Sequence, residues 1–207
     1  PAGMSVFPRH SDASAPCLLY ELLREEPWRA EVGWPAGFAG GIAHRLDVHT
    51  SGAILVAGDP DELAQIRASF TERKLEKTYR LLSGRAVSWQ DNRCGLPIAH
   101  HPRKKSQMVV QRGRSTPHRG RWMQAQTVFR RLSGDLFEAR MRTGVMHQVR
   151  VHAAFLGIAI RGDRSYGGGH PPAQVEGFYL HHVGLEGGGW ATEPVPLPEW
   201  ARLPGER

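Results

Sequence analysis

Between residues 77 and 142 the chain offers one strand-like segment after another and nothing with the spacing of a helix. Residues 77–82 (KTYRLL), 107–111, 125–132 and 136–142 are rich in β-branched, aromatic and long apolar residues. Clusters of Gly, Pro, Ser and Gln separate them. Strands in runs, without a helix between each pair, count against a doubly wound parallel sheet. They predict an α+β fold with a mixed, mainly antiparallel sheet and flanking helices.

Helices are expected before and after that run. Residues 17–26 (CLLYELLREE) place Leu18, Leu19, Leu22 and Leu23 at helical spacing. Asp59-Pro60-Asp61-Glu62 announces a second helix. Asp59 can cap the first amides, Pro60 suits the first helical position, and Glu62 sits where a capping box wants it. Leu63, Ile66, Phe70 and Leu75 give that helix an apolar face through about Glu76. A third helix is expected over residues 147–156. Residues 53–57 (AILVA) read as a short buried strand. Residues 1–16 and 27–43 read as loop, and the Gly- and Pro-rich tail from Gly187 gives little signal.

With 207 residues the chain can bury a sizeable core, and neither a repeat nor a linker divides it, so one domain over residues 1–207 is expected. It carries 27 Lys and Arg against 20 Asp and Glu, a formal charge of +7. That balance attracts polyanions, nucleic acid foremost. Its distribution says more. From Asn92 to Gly134 there are 10 Lys or Arg and no acid, although a solvated face ordinarily mixes signs. Arg103, Lys104 and Lys105, with Arg112, Arg114, Arg119 and Arg121, form the expected RNA-facing surface.

Cys17 and Cys94 form neither a disulfide framework nor a zinc pattern, so a reducing compartment, the cytoplasm, is expected. No apolar run approaches the ~20 residues of a membrane span, and no signal peptide is evident. The chain begins with Pro and reads as a piece of a longer protein. The adjacent pairs His100-His101 and His181-His182 would point to opposite sides of a strand, and His147 and His152 lack the i, i+4 spacing of a helical zinc pair. No metal or other cofactor is expected. Nucleotide-binding and hydrolase fingerprints (G-x-G-x-x-G, G-K-[ST], G-x-S-x-G) are absent.

The sharpest chemical signal is residues 44–52 (HRLDVHTSG), running into the apolar AILVA segment. A single acid flanked by bases and hydroxyls would sit at the edge of a core. Such a carboxylate can be a nucleophile or general base, or it can simply cap a turn. This segment resembles the H-R-L-D-x-x-T-S-G signature of the RluA-type RNA pseudouridine synthases. Pro1-Ala2-Gly3 resembles the family's early P-A-G, and Lys77-Thr78-Tyr79 its K-x-Y motif. Residues 143–152 (TGVMHQVRVH) resemble T-G-R-x-H-Q-I-R-x-H. Gly157, Ile160, Gly162-Asp163 and Tyr166-Gly167 follow L-G-x-P-I-x-G-D-x-x-Y-G, and Leu180-His181 fits a late L-H element. Order and spacing agree from residue 1 to about 185.

The resemblance implies a catalytic fold with a cleft across the sheet. It implies conversion of uridine in structured transfer or ribosomal RNA to pseudouridine, by a monomer without cofactor. Asp47 would be the catalytic aspartate, Arg150 its partner, and Tyr79 the residue that stacks on the base and handles a proton. Arg45 would fill the space left by the extruded uridine, and His44, Thr50, His147 and Gln148 would contact RNA. Val48 and His49 replace the charged pair usual after the aspartate, Val145 replaces an Arg, and Ala159 replaces a Pro. The competing reading keeps the fold as an RNA-binding chaperone without turnover. A third would make Asp47 the acid of a hydrolase that releases uracil.

Overall fold

The computed structural model describes residues 1–8, 12, 14–171 and 177–206. The order of elements is α1 (Leu18–Glu25), β1 (Ser51–Gly52), α2 (Pro60–Thr71), β2 (Glu76–Leu82), β3 (Asp91–Cys94), β4 (Ile98–His100), β5 (Met108–Val110), β6 (Arg119–Met123), β7 (Thr127–Ser133), β8 (Leu136–Met141), α3 (Gln148–Phe155), β9 (Leu180–Gly187) and β10 (Trp190–Ala191). Seven strands form one sheet in the order β1-β9-β2-β8-β7-β3, with β10 added to β9; β4, β5 and β6 form a second, three-stranded sheet. Every pairing is antiparallel except β1 on β9. The expected α+β architecture with a mixed, mainly antiparallel sheet is therefore the one observed.

Alternation along β2 and β8 sends Leu81, Phe137 and Ala139 into a core that also holds Phe129, Ile158 and Ile160. Helix α3 closes it and is buried on several sides, its polar residues Gln148, Arg150 and His152 all engaged in hydrogen bonds. Val149 and Ala153 enter the main core while Val151 enters the core of the small sheet with Ile98, Met108 and Val110. The helix is thus a wedge between the two sheets, and residues Gln148 to Ala153 are all buried.

Helix α2 begins as its sequence predicts. Asp59 accepts a hydrogen bond from the Glu62 amide at 2.8 Å, and Glu62 reaches back to the Gly58 amide. It ends earlier than expected. Arg73 takes φ 57°, so Leu75 packs against Leu63 and Ile66 from the loop beyond the helix. Residues 53–57 are not a regular strand. The strand is Ser51–Gly52, and the AILVA segment runs on extended, with Val56 bridging Ile42 and the Ala43 amide bonded to Leu55 O. Apolar residues in an extended run need not find a ladder partner over their whole length. Gly52 has φ 123°, and a Cβ there would lie 2.0 Å from His182 O, so only glycine lets β1 close on β9.

The tail is more ordered than its composition suggested. Trp200 packs edge-on against Tyr179, Ala201 is fully buried, and Arg80 bonds Ala201 O at 2.6 Å and pairs with Glu206.

His181 and His182 lie side by side on β9, both buried. The Nδ1 of His181 meets Ser51 Oγ at 2.8 Å, and that of His182 meets Ala53 O at 2.7 Å. Burial pushes each pKa down to about 4. An unfolded chain binds protons on these rings below about pH 6.5, whereas the folded chain does not until about pH 4. Stability is therefore complete above the unfolded value and falls as pH drops toward 4. Urea unfolding at pH 5 should show a loss of roughly 2 kcal/mol for each ring relative to pH 7. Equal stability at the two pH values would mean that the rings are not buried neutral.

Candidate active site

Asp47 sits in a tight turn just before β1, where the Thr50 amide donates to its carbonyl at 2.8 Å. The turn is also held from the far end of the chain, because the Gly3 amide donates to Val48 O at 2.7 Å. The early Pro1-Ala2-Gly3 segment thus braces the loop that carries the acid. Asp47 opens into a cleft of about 600 Å³, the size of a small-ligand site, together with Arg45, Lys77, Tyr79, His147 and Arg150.

Arg150 reaches Asp47 with Nη1 at 3.0 Å. Its other two nitrogens are engaged elsewhere. Nε and Nη2 make a bidentate pair with Asp163 at 2.7 and 3.0 Å, and both side chains are buried. The guanidinium also lies 4.4 Å from the Phe178 ring and 5.1 Å from the Tyr166 ring. Desolvation works against its charge, but the Asp163 hydrogen bonds and the charges of Asp163 and Asp47 outweigh it and raise its pKa. The cation at the start of α3, where the helix dipole repels it, is held there by two carboxylates.

Asp163 is held in turn by its own loop. Its side chain accepts from Ser165 N at 3.1 Å and its carbonyl from Gly168 N at 2.8 Å. Gly168 is obligatory in that turn, since a Cβ would sit 1.7 Å from Ile160 O. Asp163 and Tyr166 both stand in the sequence pattern, which by itself says nothing of these contacts. Their spacing in G-D-x-x-Y-G was the available signal.

His147 approaches the same Asp47 oxygen from the other side, with Nε2 at 3.7 Å. Its backbone takes φ 56°, an uncommon conformation for a residue with a side chain, of the kind that clusters at functional sites. Its Nδ1 lies 2.8 Å from the Tyr166 hydroxyl, which accepts from the Met108 amide at 2.8 Å. Desolvation lowers the His147 pKa, with Asp47 opposing and Arg150 assisting. Burial raises the Tyr166 phenol to about 12. A neutral ring that accepts the Tyr166 hydroxyl's hydrogen bond on Nδ1 carries its own proton on Nε2, toward Asp47.

Tyr79 is buried in the cleft wall, tilted against His182 with ring centroids 4.6 Å apart. Burial, and then the Asp47 charge, raise its pKa, so the phenol stays neutral. Arg45 is exposed at the rim, and among the described residues no carboxylate lies within ion-pair distance of it. Thr50 is buried at the cleft floor.

Of the other residues expected to contact RNA, Gln148 lines the cleft but spends its side chain within the protein, and the rest lie outside it. Gln148 is 2% exposed and its amide is fully used. Its nitrogen donates to Gln126 O and Thr127 Oγ1, and its oxygen accepts from Thr143 Oγ1 and Val145 N. It therefore braces the loop ahead of α3. His44 lies behind the cleft, accepting from Leu55 N at 3.0 Å and packing edge-on against Phe70. Arg103, Lys104 and Lys105 are exposed in the β4–β5 loop, where the Arg103 and Lys104 amides donate to His101 Nδ1. Val145 packs into the small sheet's core, so its side chain cannot stand in for a cation. Among the described residues no three His, Cys, Asp or Glu side chains converge as a metal site requires.

The sequence model of the RNA pseudouridylate synthase family matches residues 4–155, which include Asp47, Tyr79 and Arg150. The chain belongs to that family. It is 36% identical over 131 residues to RNA pseudouridine synthase 2, chloroplastic, of Oryza sativa subsp. japonica, covering 62% of this chain and 29% of the relative. It is 30% identical over 174 residues to ribosomal large subunit pseudouridine synthase D of Zymomonas mobilis, covering 81% of this chain and 51% of the relative. The chain thus spans about half or less of these two relatives. The structure of human RNA pseudouridylate synthase domain containing 1 superposes with a TM-score of 0.69 at 22% identity, over 88% of this chain and 74% of that one, and it shares the fold.

If Asp163 anchors Arg150, Asp163→Ala leaves a buried cation short of its bidentate partner and should cost about 3–5 kcal/mol in urea unfolding. Asp47→Ala leaves the Arg150–Asp163 pair intact and should cost clearly less. Equal losses would remove Asp163 from the anchoring role.

Proposed function

We propose that this chain is an RNA pseudouridine synthase whose catalytic acid is Asp47, acting on uridine in structured RNA. The observation that carries this reading is the Arg150 guanidinium, clamped by Asp163 and delivering one donor to Asp47 inside a cleft of about 600 Å³. A capping aspartate would need no such support. The Zymomonas relative's name favours ribosomal RNA as the substrate, with transfer RNA the other candidate.

A uridine stacked in RNA cannot meet Asp47 in place, so its base is extruded at a cost of a few kcal/mol. Arg45, exposed at the rim, can enter the vacated space and offset part of that cost by stacking. Asp47 attacks the ribose or the base. The bond from N1 of uracil to C1′ of the ribose breaks, and the base turns while Tyr79 and Phe178 line the cleft. The C5–C1′ bond forms and the bond to Asp47 breaks, freeing the carboxylate; C5 loses its proton and N1 ends protonated, so composition and mass are unchanged. Tyr79, neutral because burial raises its pKa, can give a proton but not take one until it has done so. Arg150 and His147 fix the direction of the Asp47 carboxylate.

The deciding experiment maps pseudouridine in total RNA from a host lacking the protein and from hosts expressing wild type or Asp47→Ala. The expected outcome is a site that disappears in the deletion, returns with wild type and stays absent with Asp47→Ala. On that RNA, Arg150→Ala should lower turnover far more than affinity. No site lost and none gained would favour the chaperone reading, and an abasic product would favour the hydrolase.

RNA is proposed to run over the β4–β5 loop as well as the cleft. Lys104→Ala should weaken binding of the identified RNA and reduce the slope of log affinity against log salt by about 1. Unchanged affinity and slope would place the RNA surface elsewhere.

A further inference from the structure

A second open pocket, of about 520 Å³, lies behind the wall that Lys77 and Gly144 make for the catalytic cleft. It is lined by His44, Arg67, Phe70, Lys77 and Arg142, and no Asp or Glu lines it. Resting on the reading of the cleft as a uridine site, we propose that this pocket binds a phosphodiester of the substrate RNA, the one beside the nucleotide whose base enters the cleft.

Lys77 carries the argument. Its ammonium lies 4.9 Å from the Phe70 ring, and among the described residues no carboxylate is within ion-pair distance. Burial lowers its pKa to about 8, with no acid offsetting the desolvation. A cation held in a chain with that deficit gains from an incoming anion what a protein carboxylate would ordinarily supply. Glu76, its neighbour in the chain, is engaged by Arg140 and Arg142. Gly144 leaves the ammonium open, since a Cβ there would stand 3.4 Å from Nζ.

The rest of the pocket fits an anion. Arg67 lies over the Phe38 ring at 4.1 Å and presents its edge to solvent. At the C-terminal end of α2 the last carbonyls are hydrogen-bonded within the chain, which leaves fewer bare acceptors facing the pocket. Arg67 O accepts from Thr71 Oγ1, Ala68 O from Glu72 N, Ser69 O from Lys74 N and Phe70 O from Arg73 N. Geometry ties the pocket to the cleft. Lys77 and Tyr79 are two residues apart on β2 and share a face, so they stand about 7 Å apart along the strand. One nucleotide bridges such a separation. A peptide carboxylate would satisfy the charge, but nothing would then place it beside Tyr79.

The test uses the pentaribonucleotide AAUAA and four versions of it, each with one phosphodiester replaced by a neutral methylphosphonate, bound to the full chain. In wild type, neutralising one linkage next to the uridine should weaken binding roughly tenfold, the worth of one charge-assisted hydrogen bond. The outer linkages should matter less. In Lys77→Met that tenfold penalty should shrink to about twofold or less, as a double-mutant cycle requires of interacting partners, and Arg67→Ala should shrink it in part. Equal penalties at all four linkages, or a full penalty surviving in Lys77→Met, would overturn the proposal. AAAAA binding as tightly as AAUAA would instead show that the cleft does not select uridine, which fails the functional reading itself and this proposal with it.

Discussion

The ion triad Asp163–Arg150–Asp47 is the constraint on which the site depends. Three charges, two of them almost fully buried, are tolerable only if each satisfies the others. Arg150 can therefore occupy one position only, and that position fixes Asp47. The wedge-like burial of α3 makes this possible. The helix is gripped by two cores, so the residue on its first turn has no freedom to leave the cleft wall.

Contacts at the start of the same helix join Asp47 to the basic β4–β5 loop. Met108, on β5, donates its amide to the Tyr166 hydroxyl, which meets His147, which meets Asp47. The hairpin that carries Arg103, Lys104 and Lys105 is thus one hydrogen-bonded chain away from the acid.

Much of this was legible in the residues. The capped start of α2, the β2, β7 and β8 strands and α3 follow from local pattern, and the ordered motifs led to Asp47, Tyr79 and Arg150. What local pattern missed is instructive. Strand β9 carries two adjacent histidines and two glycines, a composition poor in strand formers, yet it pairs with both β1 and β2, and Ser51 and Ala53 engage the Nδ1 atoms of those histidines. Leu75 continued the apolar face of α2 in sequence but packs from outside it, because Arg73 turns the chain first. Gln148 looked like an RNA contact in its motif, and its four hydrogen bonds turned out to lie within the protein.

The sequence by itself determined the class of fold and the family, because these are written in periodicity and in short ordered motifs. Only the tertiary structure decided that Asp163 clamps Arg150, that Tyr166 orders His147, and that Lys77 stands between two pockets with no acid beside it. Each of these is a relation between residues distant in the chain or on different elements. Charge and hydrogen-bond partners act through space over a few ångströms, and a sequence records only separation along the backbone.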